Sequence, residues 1–166
     1  MVVKPDGQGC SLGVGVAGDK GEFERAVLNA KIFNGKLLYE EFVCGEEITV
    51  SVLDGEILPF LQIIHTQPFF DFEAKFNSAG TQYKLVEFLS ADVDDAIRTS
   101  VRRMCEVLDF GRYARFDFII KDDVPYLLEI NTLPGLNSKS VFVKACLLSG
   151  VDYDEMICRI IGRSKV

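Results

Sequence analysis

The sequence predicts an α+β fold, with mainly antiparallel strands and helices packed on them. Three observations carry that expectation. "EEITVSVL", Asp54-Gly55 and "EILPFLQII" read as a hairpin, because an Asp-Gly dipeptide between apolar strands suits a type I′ turn. "ARFDFIIKDDVPYLLEINTLPG", residues 114–135, sets two apolar runs around a charged turn and reads as a second hairpin. Between them, Ala96, Ile97, Ser100, Val101, Met104, Cys105 and Leu108 recur at three and four, as one helical face does.

The remaining elements follow in chain order. "VVK" reads as a strand already under way behind Met1, so the chain is expected to be cut from a longer one. Leu12, Val14 and Val16 alternate as a short strand, and Asp19 then offers a cap to a helix ending near Asn34-Gly35. "KLLYEEFV" is a strand, and residues 65–84 lack a period and read as a long loop of the kind that often carries function. Asp92 is expected to cap the central helix, and two helices split at Gly150 close the chain, the second starting at Asp152 and Glu155.

Composition removes several function classes. The 166 residues carry a net charge of −7 and no basic cluster, which argues against a nucleic-acid groove or an anionic membrane surface as partner. No apolar run approaches the roughly 20 residues of a membrane span, and no secretory leader is visible. Five scattered cysteines and one histidine, His65, suit neither a disulfide scaffold nor a Cys/His zinc site. Cys105, Cys146 and Cys158 read as small core residues in a reducing cytoplasm. Any chemistry must rest on carboxylates, Lys and Arg, with or without a metal.

The second hairpin is where such groups meet. Arg115 and Asp117 share one strand face, and Glu129 and Asn131 share one face of the partner. Burying Phe116, Phe118 and Ile120 together with Tyr126, Leu128 and Ile130 sets Asp117 near Glu129 and Arg115 near Asn131. That register requires an odd-numbered connection such as Asp122-Asp123-Val124. Two readings are open here. One is a solvated face with an Arg–Asp ion pair. The other is a site whose hard oxygen donors suit Mg²⁺ or Mn²⁺, with Arg115 facing a developing oxyanion or phosphoryl group. "NTLPG" then leads into a turn whose N–H groups can face a ligand, with Ser138 and Ser140 at the next helix start.

Phosphate chemistry has other candidate places. Gly13 to Gly18 satisfies G-x-G-x-x-G, but it alternates as a strand where the fingerprint should open a helix, so it reads as a decoy. "DGQGCS", ending at Ser11 with Lys4 upstream, is the better phosphate loop. Glu41-Phe42-Val43 could present backbone groups to an adenine, with Glu47 reaching ribose hydroxyls. "PFFDFEAKF" surrounds Lys75 with aromatics and fits a lid that excludes water.

Together these segments resemble the D-alanine–D-alanine ligases of the ATP-grasp superfamily. The likeness runs over residues 2–162 and rests on "VVKPDGQGCSLGV", "LLYEEFVCGEEITVSVL", "FFDFEAKF", "ARFDF" and "LLEINTLPGLNSKS" in that order. It implies an ATP-grasp fold with residues 1–44 in the small central lobe and 45–166 in the carboxy-terminal lobe, without the amino-terminal substrate domain. By position, Lys4 looks like the lysine at the adenine and α-phosphate, and Glu40, Glu41, Phe42 and Val43 like the adenine hinge. Glu47 looks like the ribose ligand, Phe69 like an aromatic on the base, and Lys75 like the lid lysine. Asp117, Glu129 and Asn131 match ligands of two Mg²⁺ or Mn²⁺ ions, Glu129 bridging. Arg115 and the Gly135 N–H would face the tetrahedral intermediate, and Ser140 the carboxylate of the second D-alanine.

The implied reaction moves the ATP γ-phosphoryl group to one D-alanine, and the amine of a second displaces phosphate, for peptidoglycan precursor synthesis in the cytoplasm. The resemblance also implies a homodimer, and a fragment inactive without its missing domain. Three departures stand out: Cys10-Ser11 replaces a serine pair, Phe70 and Phe76 stand where tyrosines are usual, and the amino-terminal domain is lacking. The Phe76 position leaves a hydroxy acid open as second substrate. Other carboxylate–amine ligases and a non-catalytic Mg-ATP-binding module are the alternatives.

Overall fold

A computed structural model describes residues 1–9, 11–64, 81–109 and 112–162. The chain divides into two compact units, Met1–Cys44 with Ile64–Gln82, and Gly45–Ile63 with Tyr83–Val166.

In the first unit, β1 (Val2–Pro5) lies between β2 (Gly15–Val16) and β3 (Leu37–Glu40), antiparallel to both. Helix α1 (Lys20–Lys31) starts at Asp19, whose carboxylate accepts the Glu22 N–H at 2.8 Å, the cap expected of that residue. Its Ala26 and Ala30 pack with buried Val3. A Cβ on Gly15 would stand 2.7 Å from the Ala26 Cβ, so this glycine serves close helix packing. With β2 a strand and α1 starting only at Lys20, the G-x-G-x-x-G match is the decoy it was read to be.

Two strands are shorter than expected. Ser11 and Gly13 adopt φ of 58° and 75°, so the chain turns where alternation suggested a strand and only Gly15–Val16 pair. The "KLLYEEFV" strand stops at Glu40 because its partner runs out: Glu40 already pairs with Val2.

The second unit is built on a sheet of order β7-β6-β4-β8-β9, with β5 also paired to β4. These are β4 (Glu46–Leu53), β5 (Glu56–Ile57), β6 (Leu61–Ile64), β7 (Gln82–Leu85), β8 (Tyr113–Lys121) and β9 (Val124–Asn131). Asp54 and Gly55 take φ of 52° and 81°, the left-handed pair a two-residue type I′ turn needs. Pro59 lacks an N–H and splits "EILPFLQII" into two strands. Gln82–Leu85 is a strand, so the aperiodic stretch ends before its expected limit at 84. Residues 65–80, with His65, Phe69, Phe70, Lys75 and Phe76, lie outside the described residues, as does Cys10.

One face of this sheet carries Ile48, Val50, Val52, Ala114, Phe116, Phe118 and Ile120, packed on Val93, Ile97 and Val101 of α2 (Ala91–Leu108). Each buried Val, Ile or Phe among these contributes roughly 1.5–3 kcal/mol. The cap of α2 is Ser90, whose hydroxyl accepts the Val93 N–H at 3.4 Å; Asp92 sits in the first turn instead. A carboxylate there still complements the helix dipole.

Among the described residues of this unit, helices pack on one end of the opposite face. Leu53, Leu58, Leu61 and Tyr113 pack against Val141, Phe142 and Cys146 of α3 (Val141–Leu148) and Met156 of α4 (Tyr153–Ile160). Gly150 at φ 81° separates these helices, and Asp152 caps α4 by accepting the Glu155 N–H at 2.9 Å. Among the described residues, no helix is long and apolar enough to cross a membrane.

Candidate active site

Cross-strand partners in a sheet share a face. Leu53 opposes Tyr113, Ser51 opposes Arg115, Thr49 opposes Asp117, and Glu47 opposes Ile119. The face that α3 and α4 cover at Leu53 therefore turns polar within two residues and carries Arg115 and Asp117. On β9 the same face continues, since Arg115 pairs with Asn131 and Asp117 with Glu129. These are the juxtapositions that burial of the hairpin's reverse side predicts.

The route to that register differs from the expected one. The connection is an even, two-residue turn: Lys121 pairs with Val124, and Asp122 and Asp123 take φ of 50° and 59°. Parity is restored by a β-bulge between Asp117 and Phe118, where Phe118 pairs with Leu127 and Asp117 with Glu129, leaving Leu128 over. Toward the turn, the bulge reverses the expected alternation. Leu127 shares the face of Phe118, and Tyr126 that of Ile119. Tyr126 and Leu128, expected in the core, are exposed on this edge strand, and only Ile130 packs on the core.

Asp117 is buried at 5% exposure. Its carboxylate accepts the Thr49 hydroxyl at 2.7 Å and the Arg115 guanidinium at 2.7, 2.9 and 3.2 Å. The Arg–Asp pair of the bland reading is thus real, but it is buried and not solvated. Glu129, half exposed, lies 3.7 Å from the same guanidinium. Burial opposes the Arg115 charge, yet Asp117 beside it and Glu129 beyond hold its pKa above the ordinary range. The Asn131 side-chain amide oxygen (Oδ1) accepts the Leu133 N–H at 3.1 Å, folding the chain into the turn before Gly135. A Cβ on Gly135 would lie 3.8 Å from the Ser140 hydroxyl, so this turn delivers Gly135 to the N-cap of α3.

Sequence reasoning missed three residues of this surface. Thr49 fixes Asp117 from the neighbouring strand. Tyr83 on β7 senses the site: burial pushes its phenol up, Arg115 opposes, and Glu47 and Asp117 add to the rise. Lys144 of α3 stands 4.0 Å over the Tyr83 ring. The signal for Lys144 lay in the sequence, as the single charge in "VFVKACLL".

The donors suit a hard divalent cation, being oxygens throughout. Among the described residues no three His, Cys, Asp or Glu side chains form a metal cluster; the candidate donors here are the Asp117 and Glu129 carboxylates and the Asn131 amide. A cation at Asp117 would share its carboxylate with Arg115 and Thr49. In the first unit, Lys4 pairs with Glu40 at 2.6 Å, a partly exposed contact of about 0–1 kcal/mol that an anion can displace. Ser11 stands in its left-handed turn, and Glu41, Phe42 and Val43 follow β3 without regular structure. Phe69 and Lys75 lie outside the described residues.

The sequence family described as D-ala D-ala ligase C-terminus matches residues 1–162. This chain belongs to that family. It is 34% identical over 164 residues to a D-alanine–D-alanine ligase of Bacillus anthracis, covering 99% of this chain and 54% of the relative. A D-alanine–D-alanine ligase of Gloeobacter violaceus is 35% identical, with 99% and 55% covered. The crystal structure of the Bacillus anthracis ligase complexed with ATP superposes with a TM-score of 0.81 at 30% identity, over 97% of this chain and 50% of that one. The fold is accordingly the ATP-grasp fold that the resemblance implied. The chain spans about half the length of the curated relatives it matches.

Proposed function

We propose that this chain forms the nucleotide-binding and catalytic part of an ATP-dependent D-alanine–D-alanine ligase acting in peptidoglycan precursor synthesis in the cytoplasm. The observation that carries the reading is the Arg115 guanidinium set against two carboxylates, Asp117 and Glu129, on a strand pair whose next turn brings Gly135 to Ser140. A solvated hairpin has no use for a buried carboxylate held by three donor atoms.

In this reading the ATP γ-phosphoryl group passes to the carboxylate of the first D-alanine, giving an acyl phosphate. The amine of the second D-alanine attacks the acyl carbon, the peptide bond forms, and phosphate leaves with the acyl C–O electron pair. Arg115 and the Gly135 N–H would stabilise the oxyanion, and Ser140 would bind the acceptor carboxylate. Asp117, Glu129 and Asn131 would hold two Mg²⁺ or Mn²⁺ ions, which neutralise phosphate oxygens when bound. Thr49 keeps the Asp117 carboxylate in one orientation. Lys4, Ser11, Glu40, Glu41, Phe42, Val43, Glu47, Phe69 and Lys75 keep the nucleotide roles that the resemblance implies. Assembly as a homodimer belongs to the same proposal.

The test is ATP- and D-alanine-dependent phosphate release by the full-length gene product, with D-alanyl-D-alanine as product. No release with D-alanine would overturn the reading, and release with D-alanine plus D-lactate alone would reassign the second substrate.

A further inference from the structure

Lys144 occupies an unusual setting. Helix α3 reads "VFVKACLL", and Val141, Phe142, Val143, Ala145 and Cys146 are all buried. Its one charged side chain is only partly exposed, and burial lowers its pKa. A desolvated ammonium costs free energy unless an anion or a ring face compensates. Here a ring does: the Lys144 ammonium stands 4.0 Å from the centre of the Tyr83 ring, a cation–π contact. Among the described residues no carboxylate lies within ion-pairing distance of Lys144, whereas Arg115 has two such partners.

Its surroundings say where the ammonium works. Lys144 follows Ser140 by four residues and donates its backbone N–H to the Ser140 carbonyl at 3.1 Å, so both side chains rise from one side of α3. The Ser140 hydroxyl makes no capping bond to its own helix. It lies beside Gly135, at the end of the turn that leaves the Arg115–Asp117 hairpin. Tyr83, beneath the ammonium, belongs to the same electrostatic neighbourhood as Arg115, Asp117 and Glu47. An ammonium held on a ring face and a hydroxyl that does not cap its own helix thus share one side of α3, beside the turn that leaves the Arg115–Asp117 hairpin.

We propose that Lys144 binds the carboxylate of the amine-donating substrate together with Ser140, with Tyr83 as the residue that positions the ammonium. This rests on the ligase reading above and adds the charge that selects a free amino acid over an uncharged amine. The hydroxyl supplies one hydrogen bond, and the ammonium supplies the counter-charge that a neutral acceptor cannot use.

The experiment compares two acceptors, D-alanine and D-alaninamide, in the full-length gene product at saturating ATP. The unaltered protein should prefer the carboxylate-bearing acceptor strongly. Lys144→Met should raise the acceptor KM for D-alanine about tenfold or more while moving kcat and the ATP KM less than about threefold. It should leave D-alaninamide nearly unaffected, so the preference collapses, and Lys144→Arg should restore most of it. Tyr83→Leu should shift the same ratio in the same direction. An unchanged ratio in Lys144→Met, or equal losses with both acceptors, overturns the assignment while the ligase activity stands. A full-length protein without any D-alanine-dependent phosphate release overturns the ligase reading and this assignment with it.

Discussion

Arg115 binds Asp117 through three hydrogen bonds across two residues of one strand, and it does so where Asp117 is almost wholly out of water. Such a pair is weak as a source of net stability and costly to break on one side. Arg115→Met should therefore destabilise the fold by about 3 kcal/mol, since it leaves a buried carboxylate with Thr49 alone. Thr49→Val removes one charge-assisted hydrogen bond and should cost about 1.5 kcal/mol. Urea unfolding monitored by circular dichroism checks both, and equal small losses would show that Asp117 is solvated.

Gly45 immediately precedes β4 and lies against the end of β8. A Cβ there would stand 2.2 Å from the Ile120 carbonyl oxygen and 2.8 Å from the Ile119 side chain. The first neighbour is backbone within a paired strand, so it cannot move aside without breaking the ladder. Gly45→Ala should cost roughly 2 kcal/mol or more by overpacking. A thermal midpoint equal to that of the unaltered chain would refute the close approach.

The hairpin tip carries Asp at both left-handed positions, where Asn-Gly fits better. The double change Asp122→Asn with Asp123→Gly should stabilise the chain by about 0.5–1 kcal/mol. Calorimetry would record this as a midpoint rise of a few degrees with no change in the order of strand pairing.

Burial lifts the Cys146 thiol to about 11, against an ordinary value of 9.0, with Arg159 opposing the rise. The folded state holds this proton more tightly than the unfolded one, so the stabilisation is complete below pH 9. It is lost as pH climbs from 9 toward 11. Thermal midpoints should fall across that window, and less steeply in Cys146→Ala. At pH 8, iodoacetamide should label exposed Cys44 well before Cys146, and equal rates would contradict the burial.

Much of the fold was legible because burial constrains it. The α2 stripe reduces to Val93, Ile97 and Val101 at intervals of four, and the Asp54-Gly55 turn has the geometry its residues favour. The pairing of Asp117 with Glu129 was readable because Phe116 and Ile130 must face the core together. The bulge was not readable. An odd loop and an even loop with one extra strand residue give the same pairs at Asp117, and only the left-handed aspartates distinguish them. Ser90 displaced Asp92 as a cap because the helix begins two residues earlier than expected, ahead of its apolar stripe. Thr49 and Tyr83 were invisible since their importance comes from strands far away in sequence. Lys144 was visible as a lone charge, but nothing local tells which ring or face it meets.

The bulge at Leu128 separates the tip of the hairpin from the phase of its base. Residues between Lys121 and Val124 are exposed, and the strand edge beyond them is unpaired among the described residues. The alternation that aims Glu129 and Asn131 is fixed on the far side of the irregularity, by Phe116 and Ile130. A peptide tag inserted between Asp122 and Asp123 would therefore leave Glu129 and Asn131 aimed as they are.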